Sequence, residues 1–135
     1  MKVYTSYFGN SRNLNKEGIL MIGISRYPPK YFLGTSLFEL APHGYMLKLS
    51  PEEYDRLFFK DIIGILNPHD VMRKIALIAK NQGKDNVALC CFEKNPKECH
   101  RSYVSTWLNQ AGYDVTEFME EPEPKKPQAI QGSLF

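Results

Sequence analysis

Residues 2–8 alternate β-forming side chains until Gly9-Asn10-Ser11 breaks the pattern, which predicts a strand. Residues 18–24 form a short apolar run suited to a second, buried strand. Between residues 25 and 43 aromatics mix with Pro28-Pro29, Gly34 and Pro42, a composition for a structured loop rather than a regular element. Ser50-Pro51-Glu52-Glu53 then supplies a capping hydroxyl, a proline in the first helical position and a glutamate three residues after the cap, so a helix is predicted from there to about Leu66. Asn67-Pro68 opens a second helix with Val71, Ile75, Leu77 and Ile78 on an apolar stripe, ended by Gly83. Residues 87–92 (Val-Ala-Leu-Cys-Cys-Phe) lack polar alternation and read as a central strand buried on both faces. Asn95-Pro96-Lys97-Glu98 looks like another proline-opened helix start, with Tyr103, Val104, Trp107 and Leu108 on its buried face and Gly112 at its end. Residues 113–118 suit a last strand.

Two helices between strands, then strand, helix and strand, imply a single α/β domain: an open, mainly parallel, Rossmann-like sheet flanked by helices. After Phe118 the chain turns to Glu120-Glu121-Pro122-Glu123-Pro124-Lys125-Lys126-Pro127, which cannot bury enough surface to fold. The expected organisation is a domain over residues 1–118, a flexible Pro/Glu/Lys linker over 119–130 and a terminal peptide over 131–135, in a disordered C-terminal tail. The total of 135 residues suits one core, and 43% apolar with 13% aromatic residues is a globular composition. A net charge of +2 excludes the strong field of a dedicated nucleic-acid wrapper. No run approaches a membrane span and the N-terminus lacks a signal-peptide core, so a cytoplasmic protein without membrane contact is expected. With three cysteines, two of them adjacent, the sequence predicts thiols rather than a disulfide framework.

In open α/β sheets ligands meet the chain beyond the carboxyl ends of the strands, where loops lead into helix N-termini. Cys91 to Arg101 occupies that position. A helix start favours anions and favours a thiolate over a thiol. Cys99, His100 and Arg101 are therefore the candidate catalytic residues: Cys99 as a nucleophile, His100 as a proton carrier near neutral pH, Arg101 as a bidentate anion holder. Competing readings stand beside these. Cys99 also fits as a small buried residue, and His100, four residues before Val104, as a hydrogen-bonded core histidine. The Arg101 guanidinium needs an anion from solvent, from a ligand or from the protein itself. Cys90 and Cys91 point to opposite sheet faces, which assigns Cys91 to the site and Cys90 to the core. Zinc held by Cys91, Cys99, His100 and His43 or His69 matches no common spacing, so neither metal nor other cofactor is expected.

The run Ala88-Leu89-Cys90-Cys91-Phe92-Glu93-Lys94, then Pro96, Cys99-His100-Arg101 and Trp107-Leu108, resembles the signature of domain-of-unknown-function family 488. Tyr4-Thr5-Ser6-Tyr7-Phe8 and Ile24-Ser25-Arg26-Tyr27-Pro28-Pro29 resemble its short members, and the resemblance extends from Val3 to Phe118. It implies a compact α/β domain with roles near nucleotides or nucleic acids, and supplies no reaction. Larger relatives carry an Asp-Val-Arg-like sequence where this chain has Gly23-Ile24-Ser25-Arg26, so the arginine is kept and the acid is not. Arg26, Cys91, Glu93 and Lys94 are the candidate substrate- or anion-binding residues, with Tyr27 and Tyr31 as stacking or packing neighbours.

The chain closes with Gln131-Gly132-Ser133-Leu134-Phe135, which resembles the bacterial sliding-clamp-binding pentapeptide. Leu134 and Phe135 would anchor in a preformed pocket and the Gln131 amide would fix register, with Ser133 as the small polar position. Gly132 replaces a larger apolar residue, so the contact is expected to be weak, recruiting through local concentration. The alternative is that Leu134 and Phe135 dock on the chain's own domain. Together these readings predict an enzyme or enzyme-like domain acting on nucleotides or nucleic acid in DNA repair or replication, partnered by a bacterial-type DNA sliding clamp. The competing reading is a non-catalytic adaptor or clamp modulator whose Cys-His-Arg cluster is structural. A solvent-filled pocket beside Arg101 discriminates between them.

Overall fold

The computed structural model describes residues 1–95 and 99–119. Five parallel strands form one sheet: β1 (Lys2–Tyr7), β2 (Ile19–Gly23), β3 (Thr35–Ser36), β4 (Asn86–Cys91) and β5 (Val115–Glu117), in the spatial order β3-β2-β4-β1-β5. The helices are α1 (Ser11–Lys16), α2 (Pro51–Leu57), α3 (Pro68–Asn81) and α4 (Arg101–Gln110). This is the expected α/β class, with every strand pair parallel.

Side-chain alternation along β4 divides the core in two. Val87, Leu89 and Cys91 face a cluster that includes Val3, Ile22, Phe58, Ile75, Val104 and Leu108, so α2, α3 and α4 cover that face. Ala88 and Cys90 face a smaller cluster of Phe8, Leu14, Ile19 and Met21, covered by α1. Burial on both faces explains why the strand carries no polar residue between Val87 and Cys91. The registers Tyr7↔Cys91 and Gly23↔Cys90 bring the carboxyl ends of β1, β2 and β4 to one edge of the sheet.

The capping signals act as their chemistry requires. Ser50 Oγ accepts from Glu53 N at 3.3 Å, and Asn67 Oδ1 accepts from His69 N at 2.8 Å and Asp70 N at 3.3 Å. Gly83 (φ 67°) and Gly112 (φ 102°) follow α3 and α4 in the left-handed region that favours glycine. Three expectations change. The helix predicted to reach Leu66 is α-helical only to Leu57, then passes through a wider π turn (Phe58–Ile62) and a 3-10 turn (Ile63–Ile65). The buried stripe of α3 is Val71, Ile75 and Ala79, while Leu77 is exposed. The chain between β1 and β2 carries the short helix α1, and the long loop contains β3 pairing with β2. Among the described residues no helix is long and apolar enough to cross a membrane. The predicted helix start at Pro96-Lys97-Glu98 and the tail from 120 to 135 lie outside the described residues.

Candidate functional site

β4 ends at Cys91 and α4 begins at Arg101, so the signature motif surrounds the carboxyl edge of the sheet. Arg101 is fully buried. Its Nε donates to Glu117 Oε1 at 3.0 Å and its Nη2 to Glu117 Oε2 at 2.9 Å, a bidentate pair. Nη2 also donates to Lys94 O at 2.8 Å, and Nη1 donates to Cys91 Sγ at 3.1 Å and to Glu93 O. A guanidinium has five N-H donors, and these contacts engage every one of its nitrogens. Of the three possible sources of its anion, the protein itself supplies it. The expectation that Arg101 holds the phosphate or carboxylate of a bound substrate is therefore corrected: Arg101 is an internal clamp tying β5, the 93–94 loop and Cys91 to the start of α4. Glu93 and Lys94 enter this clamp through backbone carbonyls. Thr5 Oγ1 donates to Glu117 Oε1 at 2.8 Å and holds the carboxylate from β1.

Cys91 and Cys99 are joined as a disulfide, eight residues apart in sequence, with Cα atoms 7.1 Å apart. This corrects the expectation of three thiols. The fold back from the strand end to the helix start brings together two sulfurs that the spacing alone did not pair. Cys90 remains a free buried thiol on the other face, and burial pushes its pKa up to about 12.

His100 is 7% exposed and packs against Phe58 with ring centroids 5.3 Å apart. Its Nε2 lies 2.6 Å from Ile24 O, so Nε2 carries the proton and Nδ1 keeps a free lone pair. Nδ1 is 3.8 Å from Cys99 Sγ. Burial lowers the imidazole pKa to about 4, only partly opposed by the Ile24 bond and reinforced by the nearby Arg101 charge. His100 is thus neutral at pH 7, which corrects its expected role as a proton carrier near neutrality; at Nδ1 it is an acceptor or a ligand. The core and site readings of this residue meet, because the same ring is hydrogen-bonded inside and faces the cysteines.

A cleft of about 640 Å³ opens at this edge. Cys91, Cys99 and His100 form part of its wall, together with Glu93, Ser25, Arg26 and Tyr27 from the β2 end and Tyr54, Asp55 and Tyr103 from α2 and α4. Tyr103 OH donates to Asp55 Oδ1 at 2.7 Å, and this bond, ahead of burial, raises the phenol to about 12. Tyr54 is raised as well, chiefly by burial and secondarily by Tyr103 and Asp55. Both phenols therefore stay protonated and polar. Arg26 Nε donates to Pro42 O at 2.9 Å and Nη2 to Phe38 O and Ala41 O at 3.1 and 3.3 Å, which pins the guanidinium to the cleft rim through its own loop. These bonds use Nε and Nη2, and with the described residues Nη1 makes none, so among them Arg26, unlike Arg101, keeps donor capacity. Tyr27 lies in the wall at 66% exposure, whereas Tyr31, equally exposed, lies outside it. His43 stacks on Tyr45 and His69 Nδ1 meets Tyr113 OH at 2.7 Å, so neither joins the cysteine cluster.

Sequence reasoning missed Glu117, Asp55 and Tyr54. Glu117 had a readable signal: strand alternation puts it on the same side as buried Val115, and an acid on an inward position calls for a buried cation. Asp55 and Tyr54 had none, because their place in the wall depends on how α2 packs against the end of β4 and α4, contacts distant in sequence. The clamp-peptide residues Gln131, Ser133, Leu134 and Phe135 lie outside the described residues.

The sequence pattern described as the active DUF488-N3 subclade matches residues 3–112. No curated protein and no solved structure matches.

Proposed function

The chain belongs to domain-of-unknown-function family 488, and from that premise we propose that it is an enzyme-like domain whose cleft takes a phosphate-bearing nucleotide or nucleic-acid segment. The carrying observation is the convergence of Cys91, Cys99 and His100 in the wall of one solvent-open cleft with Arg26 and three tyrosines. Among the described residues of the cleft wall, Arg26 is the arginine or lysine placed to meet a phosphate oxygen, a role the sequence divided between Arg26 and Arg101. Tyr27, exposed in the same wall, offers a face on which a base can stack. The cysteines supply the reactive groups once reduced: Cys99 lies beside the positively polarised start of α4, and Cys91 receives an N-H from Arg101, and both contacts favour thiolates. In this reading Arg101 acts through Cys91 and is a positioning residue.

The terminal peptide completes the proposal: Gln131, Ser133, Leu134 and Phe135 recruit the domain to a bacterial-type sliding clamp during DNA repair or replication. The adaptor reading draws support from one observation, the internal engagement of Arg101, which gives the Cys-His-Arg motif an architectural job. An open cleft where an adaptor would present a closed surface favours the enzyme-like reading.

The test is binding of a nucleotide panel and of a short single-stranded oligonucleotide to reduced protein. Arg26→Ala is expected to weaken binding by about tenfold or more, the loss of a charge-assisted contact, and Tyr27→Ala to weaken the oligonucleotide more than the mononucleotide. Unchanged affinity in a folded Arg26→Ala protein contradicts the proposal.

A further inference from the structure

We propose that, once a dithiol reductant has reduced the Cys91–Cys99 bond to two thiols, which release their protons on metal binding, the two sulfurs and His100 Nδ1 form a three-donor site for one thiophilic divalent cation, best matched by zinc, whose fourth position opens into the cleft. The spacing of these residues in sequence suggests no metal, because they come from a strand end and a helix start. In space their ligand atoms all lie within 4.8 Å of one another. Tetrahedral zinc, with bonds of about 2.3 Å to sulfur and about 2.0 Å to nitrogen, sets such donors roughly 3.5–3.8 Å apart. The Cys99 Sγ to His100 Nδ1 distance is already 3.8 Å.

Four features point to a ligand set rather than to chance proximity. The Cα atoms of Cys91 and Cys99 are 7.1 Å apart, beyond the roughly 4.4–6.8 Å over which a disulfide usually spans, so the backbone leaves room for an atom between the sulfurs. His100 has its tautomer fixed: the Ile24 carbonyl at 2.6 Å holds the Nε2 proton, the supporting contact that orients metal-binding imidazoles. The Arg101 Nη1 donor at 3.1 Å stabilises Cys91 as a thiolate, while Glu117 balances the Arg101 charge, so two thiolates remain to neutralise a divalent ion. Finally, all three ligand residues line the cleft, and Asp55 in the same wall is engaged by Tyr103. Three protein donors with an open position form the arrangement of zinc sites that bind water or substrate.

This inference extends the cleft reading without depending on the nucleotide. If the site is loaded, the group that meets substrate is a metal-bound water or the substrate itself on the ion, and the cysteines act as ligands instead of nucleophiles.

The experiment titrates full-length, reduced protein anaerobically with cobalt(II), followed by zinc. The expected result is one equivalent of cobalt with a thiolate-to-cobalt charge-transfer band and tetrahedral d-d absorption, both abolished by one equivalent of zinc. Cys99→Ser and Cys91→Ser are expected to lose the charge-transfer intensity stepwise, whereas Cys90→Ala, on the opposite sheet face, retains it. Because Cys91 is buried and its variant can fail to fold, the half-buried Cys99 carries the test, with circular dichroism as the folding control. Reduced, folded protein that shows no charge-transfer band, or Cys99→Ser protein that shows the full band, overturns the proposal. Such a failure leaves nucleotide binding by Arg26 and Tyr27 to be judged separately, since that assay needs no metal.

Discussion

Glu117→Ala tests the assignment of Arg101 as an internal clamp. Among the described residues, the substitution removes the one carboxylate paired with the fully buried Arg101 guanidinium, and it takes away the acceptor of buried Thr5 Oγ1. Breaking one side of a buried pair costs roughly 3–5 kcal/mol, because the remaining charge stays desolvated. The Glu117 side chain is 24% exposed, so water partly replaces it, and Cys91 Sγ, Glu93 O and Lys94 O still receive Arg101. The lower end of the range, about 3 kcal/mol, is therefore expected. In urea, with a slope of about 1.5 kcal/mol per molar, the midpoint should fall by about 2 M. The melting temperature should fall by roughly 10 °C. An Arg101→Met/Glu117→Ala double variant should lose less than the sum of the two singles by more than about 1.5 kcal/mol, the coupling that a double-mutant cycle isolates. A loss below about 0.5 kcal/mol, the level of an exposed ion pair, refutes the clamp and returns Arg101 to solvent and ligand.

Ser50→Ala and Asn67→Ala each remove a side-chain oxygen that accepts from backbone N-H groups of the first helical turn, and each should cost about 1 kcal/mol by chemical denaturation; no loss would show that proline alone sets these helix starts. Gly23→Ala places a Cβ 2.9 Å from Ser36 Oγ and 3.1 Å from Phe32, so it should destabilise the β2 edge and weaken cleft binding together, and unchanged melting would contradict the close packing there. In chelator-treated protein, His100 should couple stability to acid. Its folded pKa of about 4 lies below the reference of about 6.5, so its contribution is complete above pH 6.5 and is lost as pH falls through about 4. His100→Gln should flatten that slope, and an identical pH profile in the variant counts against neutral burial. Deleting residues 131–135 should abolish retention on a sliding clamp without moving the melting transition, whereas a lowered transition would indicate docking on the domain.

Strong local signals carried most of the architecture. Ser50-Pro51 and Asn67-Pro68 mark helix starts because cap and proline chemistry is short-ranged, and Val87 to Cys91 announces a two-sided strand because burial leaves it no polar position. The π turn at Phe58–Ile62 was not legible, since Phe58 and Ile62, four residues apart, would share the core face of an ordinary α-helix just as well, and the apolar pattern does not tell the two apart. The site was half legible. Helix-start position and residue chemistry located Cys99, His100 and Arg101, yet the partner of Arg101 sits 16 residues further on in a short edge strand. The Cys91–Cys99 pairing depends on how the end of β4 and the start of α4 are placed against each other, and the Nδ1 orientation of His100 on the Ile24 carbonyl, neither of which sequence spacing encodes.

The central claim is that ligand meets this protein at the Cys91, Cys99 and His100 wall of the cleft and not at the Arg101 side chain. Amide chemical-shift mapping of reduced protein against a nucleotide titration tests it most directly. The account predicts saturable shifts at Ser25, Arg26, Tyr27, Tyr54, Asp55 and Cys99, lost together in Arg26→Ala. Shifts centred on Glu117 and Thr5, or a surface patch away from the cleft, would contradict it.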